Sequence, residues 1–177
     1  MVAIVTLDLQ GVEVKLIVPA KFPRLRRDSL EKRMADESKT LYHLPGTDWI
    51  AIVGKNGSPE FAAAFVERPI LTASVLRNPC VGAESIGAFF GVASKMYDTI
   101  TFTNETVDRG KTYLEWEGKV FGLDVRGATI LTRDPAGLIE SIQLYHSPLH
   151  VLTRFCAELE SRLSGKLDPS VFGATAT

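Results

Sequence analysis

The chain has 177 residues, 45% of them apolar, and 20 Lys plus Arg against 21 Asp plus Glu leave a net charge of −1. That size and balance describe one globular domain and argue against both a disordered chain and a polyanion-binding one. Cys80 and Cys156 lie far apart with no CxxC partner, and the first residues lack the basic start and apolar run of a signal peptide, so a reducing, cytoplasmic setting is expected. Charged residues interrupt every apolar stretch before it reaches the roughly 18 residues a spanning helix needs, so no membrane association is expected.

Apolar residues alternate at Ala3, Val5, Leu7 and Leu9, break at Gln10-Gly11, and alternate again at Val12, Val14, Leu16 and Val18. This pattern predicts a β-hairpin. Pro19 and Pro23 end it, and Lys21, Arg24, Arg26, Arg27, Lys32 and Arg33 then outnumber Asp28 and Glu31. With no aromatic residues interleaved to stack on bases, the stretch reads as a solvated helix over about Asp28 to Thr40 rather than a nucleic-acid surface. His43-Leu44-Pro45-Gly46 reads as a linker.

Two short helices are expected next, one capped by Thr47 before Trp49-Ile50-Ala51 and one capped by Ser58 before Pro59 and Phe61 to Val66. Ile70 to Leu76 reads as a short strand, and Asn78-Pro79 turns the chain toward a third helix from about Ala83 to Tyr97. Its Ile86, Phe89, Phe90, Ala93 and Tyr97 share one helical face. Four strand-like segments follow, Thr99 to Val107, Thr112 to Phe121, Leu123 to Arg133 and Leu138 to His146, with turn signals at Arg109-Gly110 and Asp134-Pro135-Ala136-Gly137. They predict an antiparallel meander. Pro148, expected in the first turn, opens a last helix with Leu152, Phe155, Cys156, Leu159 and Leu163 on one face.

Three stretches carry a resemblance: Trp49-Ile50-Ala51-Ile52-Val53 leading into Phe61-Ala62-Ala63-Ala64-Phe65; Arg77-Asn78-Pro79 leading into Gly82 to Phe90; and Asp134-Pro135-Ala136-Gly137 leading into Leu138 to Ile142. In this order and spacing the chain resembles the nuclear transport factor 2-like (NTF2-like) superfamily, which includes the ketosteroid isomerases and the SnoaL-like polyketide cyclases. The resemblance implies a cone-shaped α+β, cystatin-like fold, a curved antiparallel sheet covered by helices, with the N-terminal β-hairpin as an addition. It divides the chain into an extension over 1–45, an NTF2-like domain over 46–165 and a flexible tail over 166–177.

Such a fold implies a conical pocket for a small apolar molecule, and the resemblance lines it with Trp49, Asn78, Phe89, Leu114, Trp116, Val125, Gly127, Thr129, Leu131, Ile142, Leu144 and His146. Strand alternation independently supports Leu114 and Trp116 as one inward set and Val125, Gly127, Thr129 and Leu131 as another.

Ketosteroid isomerisation needs a carboxylate base, a tyrosine and a protonated aspartic acid. At the matching positions this chain has Asn78, Trp49 and Thr129, and an amide cannot take up a proton near neutral pH. Asp124 and Arg126 imitate the acid and arginine groups of other relatives, but the strand phase turns both outward. His146 is on the inward phase with Ile142 and Leu144. It is either an acid or base, or a histidine satisfied at a strand end, and the absence of a carboxylate on its face favours the second. His150 is one turn away, but no metal set is completed and no cofactor is expected. Gly54-Lys55-Asn56-Gly57 lacks the features of a phosphate-binding loop.

Two functions remain open. One is a binding protein or an isomerase, cyclase or hydrolase-type enzyme for an apolar ligand, even a polycyclic one, with His146 as the candidate catalytic group. The other is a non-catalytic homodimer module joined through the outward sheet face of Tyr113, Glu115, Glu117 and Tyr145. An open cavity of roughly 300 Å³ or more would favour the first, and a filled interior the second.

Overall fold

The structure, a computed structural model, describes residues 2–9, 12–19 and 44–173. The hairpin is β1 (Val2–Leu9) and β2 (Val12–Pro19), followed by helices α1 (Thr47–Gly54) and α2 (Pro59–Ala62), strands β3 (Phe65–Ala73) and β4 (Cys80–Val81), and helix α3 (Ala83–Ala93). Then come the meander, β5 (Thr99–Asp108), β6 (Lys111–Val120), β7 (Leu123–Arg133) and β8 (Ile139–Ser147), and helix α4 (Leu149–Leu163). The strands form one sheet in the order β1-β2-β5-β6-β7-β8-β3-β4. The expected helix over 28–40, its basic residues and the last four residues lie outside the described residues.

The meander follows from its turns. Arg109-Gly110 (φ 46° and 77°) and Phe121-Gly122 (φ 54° and 75°) are two-residue connections with positive φ at both positions, the turn geometry whose twist matches that of paired strands. The Phe121-Gly122 turn carried too weak a composition signal to be singled out in the sequence. In β6, Thr112, Leu114 and Trp116 are buried while Lys111, Tyr113, Glu115 and Glu117 are exposed. A slip of one residue would expose that whole apolar set, so the register is strongly fixed. Irregular pairing between Phe102 and Asn104 and between Thr132 and Arg133 adds local bends, which curl the sheet around its inner face.

The meander is antiparallel as expected, and the whole sheet is mixed. β3 runs parallel to β8, and β2 meets β5 in parallel at Glu13 and Val14. Parallel neighbours need long connections, and β3 is joined to β8 through α3 and most of the meander. The second helix also stops at Ala62 instead of Val66, because Phe65 is already paired with Ile139 as the first residue of β3. Phe61 and Phe65 still pack, with ring centroids 5.0 Å apart, so the apolar run that reads as one helix is buried as a helical turn followed by a strand.

Helix ends differ in detail. Gly46, at φ 78°, caps α1 in place of Thr47, whose hydroxyl instead donates to the Leu44 carbonyl at 2.7 Å. A side chain at Gly46 would also overlap the Phe102 ring. Helix α3 ends at Ala93 and tightens into a 3₁₀ turn over Ser94–Met96, and Pro148 precedes α4 as its cap. Residues 166–173, expected as tail, are packed: Leu167 and Val171 are buried, and the Val171 carbonyl accepts from the Arg77 and Asn78 amides at 2.9 and 3.2 Å. No helix among the described residues is long and apolar enough to cross a membrane.

The helices cover the inner face of the sheet. Ile86, Phe89, Phe90 and Ala93 of α3 and Val151, Leu152, Phe155, Leu159 and Leu163 of α4 join one core with Trp116, Leu131 and Ile142 from the strands. Gly127 of β7 faces Trp116 across the β6–β7 ladder, and a side chain there would overlap both the indole and the Tyr145 carbonyl. Substituting Gly127→Ala is therefore expected to cost about 2–3 kcal/mol through overpacking, read as a lower urea midpoint with an unchanged m-value. An unchanged midpoint would contradict this packing.

Candidate functional site in the cone

Between α1, α3 and the inner face of β5 to β8 lies a cavity of about 110 Å³. Six of the residues expected from sequence line it: Trp49, Phe89, Trp116, Thr129, Leu144 and His146. Phe90, Ala93, Ser94, Tyr97, Ile100 and Phe102 complete much of the wall. Aromatic edges set its shape, with Trp49 T-shaped against Phe90 at 5.2 Å and Phe89 against Phe90 at 5.2 Å.

The other expected residues lie elsewhere. Leu114 and Leu131 line an open cleft of about 560 Å³ at the turn end of the meander, with Asp48, Glu105 and Arg133. Gly127 lies against Trp116 and faces an outer groove, not the cavity. Val125 and Ile142 are buried in the core without reaching the cavity wall. Asn78 is exposed on the connection after β3, and its side-chain amide donates to the Ser170 carbonyl at 2.8 Å. Its role is to fasten the C-terminal turn, which the sequence could not reveal because the two segments are 92 positions apart.

His146 does not stand alone. Its Nε2 lies 2.6 Å from the Tyr97 hydroxyl and its Nδ1 lies 3.2 Å from the Ser74 hydroxyl. The Ser74 oxygen also accepts from the His146 backbone N–H at 3.1 Å, which ties the end of β8 to the residue after β3. Trp116 meets the imidazole edge-on at 5.1 Å, and Phe155 packs at 5.9 Å. Burial among these rings pushes the imidazole down to about 4 and raises the Tyr97 phenol above its ordinary range, because each charged form would lose its hydration. Near neutral pH the pair is uncharged.

Two proton arrangements satisfy this chain. In one, Ser74 donates to Nδ1, Nε2–H donates to Tyr97, and the phenol hydrogen is left for the cavity. In the other, Tyr97 donates to Nε2, Nδ1–H donates to Ser74, and the phenol oxygen offers only lone pairs. The wall can thus meet a carbonyl or a hydroxyl. Thr129, at 2% exposure, adds a hydroxyl-bearing side chain to the same wall. Ser94 is already committed to the Phe90 carbonyl at 2.6 Å.

The sequence missed Tyr97 because helical spacing extends the α3 face to it. In the structure the chain leaves the helical region there (φ −83°, ψ 132°), and the ring turns toward β8. The outward residues behave as expected of a solvated face: Asp124 pairs with Lys119, and Arg126 is exposed. No group of three or more His, Cys, Asp or Glu among the described residues could hold a metal ion. Cys156 is half-buried, with its thiol directed at the Val75 carbonyl at 3.6 Å.

The half-buried imidazole makes stability depend on pH. The unfolded chain titrates at this group near 6.5 and the folded chain near 4, so between those values the unfolded state binds more protons. Stability should fall as pH drops through this window, by about 2 kcal/mol once partial exposure is allowed for, and this contribution should be flat outside it. Urea titrations from pH 7 to 4 check this. His146→Gln should lose that part of the slope, and equal slopes in both proteins would contradict it.

No family model matches the sequence, and no curated protein matches it. Solved structures do. An uncharacterised bacterial protein with a cystatin-like fold from Silicibacter pomeroyi DSS-3 is similar at a TM-score of 0.58 and 18% identity, over 63% of this chain and 79% of that one. A steroid delta-isomerase from Pseudomonas aeruginosa is similar at a TM-score of 0.59 and 14% identity, over 67% of this chain and 88% of that one. Helices laid on one face of a curved mixed sheet, in an arrangement similar to that of these structures, give this chain a cone-shaped α+β fold of the cystatin-like kind.

Proposed function

We propose that the cone binds a small, largely apolar cyclic or aromatic molecule carrying one carbonyl or hydroxyl oxygen, which meets Tyr97 and His146. The observation that carries this reading is the uncharged Tyr97–His146 pair on the wall of an otherwise aromatic and aliphatic cavity. Size supports a modest ligand. At about 110 Å³ the cavity is below the roughly 300 Å³ usual for drug-sized ligands, and nearer the ~150 Å³ of an apolar void that accepts benzene. A polycyclic ligand does not suit it.

Any chemistry would be proton transfer at that oxygen, of the isomerase or cyclase kind. Tyr97 would donate as the oxygen gains charge, and His146 would resupply the phenol with help from Ser74. The Pseudomonas aeruginosa structure is named a steroid delta-isomerase. No Asp or Glu lines this cavity among the described residues, so a carboxylate-driven version of that reaction is not supported. Both cysteines are free thiols, which fits the reducing, cytoplasmic setting proposed for the protein.

A second reading concerns the outer sheet face, where Tyr113 and Tyr145 are 38% and 52% exposed on outward positions beside Glu115 and Glu117. Such mixed aromatic and polar surfaces suit a two-fold contact between copies. Light scattering at micromolar concentration should give twice the chain mass of 19.4 kDa. A monomer would remove this reading without touching the first.

Calorimetry with cyclohexanone and phenol tests the binding reading. Both should bind wild type. Tyr97→Phe should fold normally yet bind cyclohexanone about 5- to 10-fold more weakly, the worth of one hydrogen bond. Failure of either compound to bind wild type at millimolar concentration would contradict the reading.

A further inference from the structure

Trp49 belongs to two spaces at once. It lines the cavity with Trp116 and Thr129, and it lines the neighbouring cleft with Leu114 and Leu131. Those four strand residues belong to one continuous floor. Leu114 and Trp116 are two positions apart on β6, Thr129 and Leu131 two apart on β7, and the ladder pairs Leu114 with Thr129 and Thr112 with Leu131. Side chains two apart on a strand project from the same face about 7 Å apart. The sheet therefore offers a single trough, and what divides it is a side chain descending from α1.

We propose that Trp49 is the specificity-determining partition of this trough, restricting the site to one-ring ligands, and that shortening it joins cavity and cleft into a site for two fused rings. This deepens the binding reading above and rests on it. The partition is held rigidly. Trp49 is 5% exposed, its ring is braced edge-on by Phe90 at 5.2 Å and 76°, and α1 is anchored by Gly46 against Phe102. Beyond the partition the cleft is lined by Asp48 and Arg133, so a longer ligand would extend its far end toward polar groups and solvent. The residues on either side of the partition are neighbours on the same two strands.

The test uses phenol and 1-naphthol as probes, with wild type, Trp49→Ala and, as a gentler truncation that keeps the core filled, Trp49→Leu. Circular dichroism establishes that each variant is folded before binding is measured. Wild type should bind phenol and discriminate against 1-naphthol by at least 10-fold, and one or both variants should bind 1-naphthol at least 10-fold more tightly than wild type. If wild type binds phenol but neither folded variant gains affinity for 1-naphthol, Trp49 is not the partition while the binding reading survives. Wild type binding both probes equally would also overturn the partition. If no protein binds either probe, the binding reading fails and the partition with it.

Discussion

A hydrogen bond of 2.6 Å between Tyr97 and His146, made inside an aromatic wall, is the constraint on which the site depends. Two polar groups in such surroundings are costly unless each is satisfied. Here the imidazole has a phenol on one nitrogen and the Ser74 hydroxyl near the other. Burial holds both rings uncharged, so the cavity carries no fixed charge that would demand a counter-ion from a ligand. What it offers is hydrogen bonding of adjustable sense, because the direction of donation along Ser74, His146 and Tyr97 can reverse.

That bond needs three separate segments to converge. Ser74 follows β3, Tyr97 follows the 3₁₀ turn after α3, and His146 lies near the end of β8. The parallel pairing of β3 with β8 runs through Ala73 and Leu144 and brings Ser74 beside His146. An antiparallel placement of β3 would run the chain the other way and carry its end away from His146. The mixed character of the sheet thus has a direct consequence for the site, and the bends in β5 and β7 curl the same face toward the helices.

Much of the fold is legible in the sequence. The meander, the hairpin and the apolar faces of α3 and α4 are periodic, and periodicity survives folding because each element buries one face. Phe61 to Val66 misled, since a short apolar run has no period long enough to separate helix from strand, and the pairing of Phe65 with Ile139 decided the matter. The site was legible only where it lies on periodic strands. Thr129, Leu144, His146 and Trp116 share the inward phase. Leu114 and Leu131 share it too, yet fall on the far side of Trp49, because phase says which face a side chain takes and not how far along the cone it lies. Tyr97 and Ser74 lie just past element ends, where no period applies, and Asn78 serves the C-terminal turn through a contact of long sequence separation.

The imidazole nitrogens of His146 report on the central claim directly. In ¹⁵N spectra at pH 5.5 an ordinary histidine is mostly imidazolium. We expect His146 to be neutral there, since burial lowers its pKa to about 4, and we expect its Nε2 resonance to move on addition of cyclohexanone as the phenol hydrogen turns to the ligand and Nε2 changes from acceptor to donor toward Tyr97. An imidazolium signal at pH 5.5, or an Nε2 resonance indifferent to saturating cyclohexanone, would contradict an uncharged Tyr97–His146 pair that receives the oxygen of a small ligand.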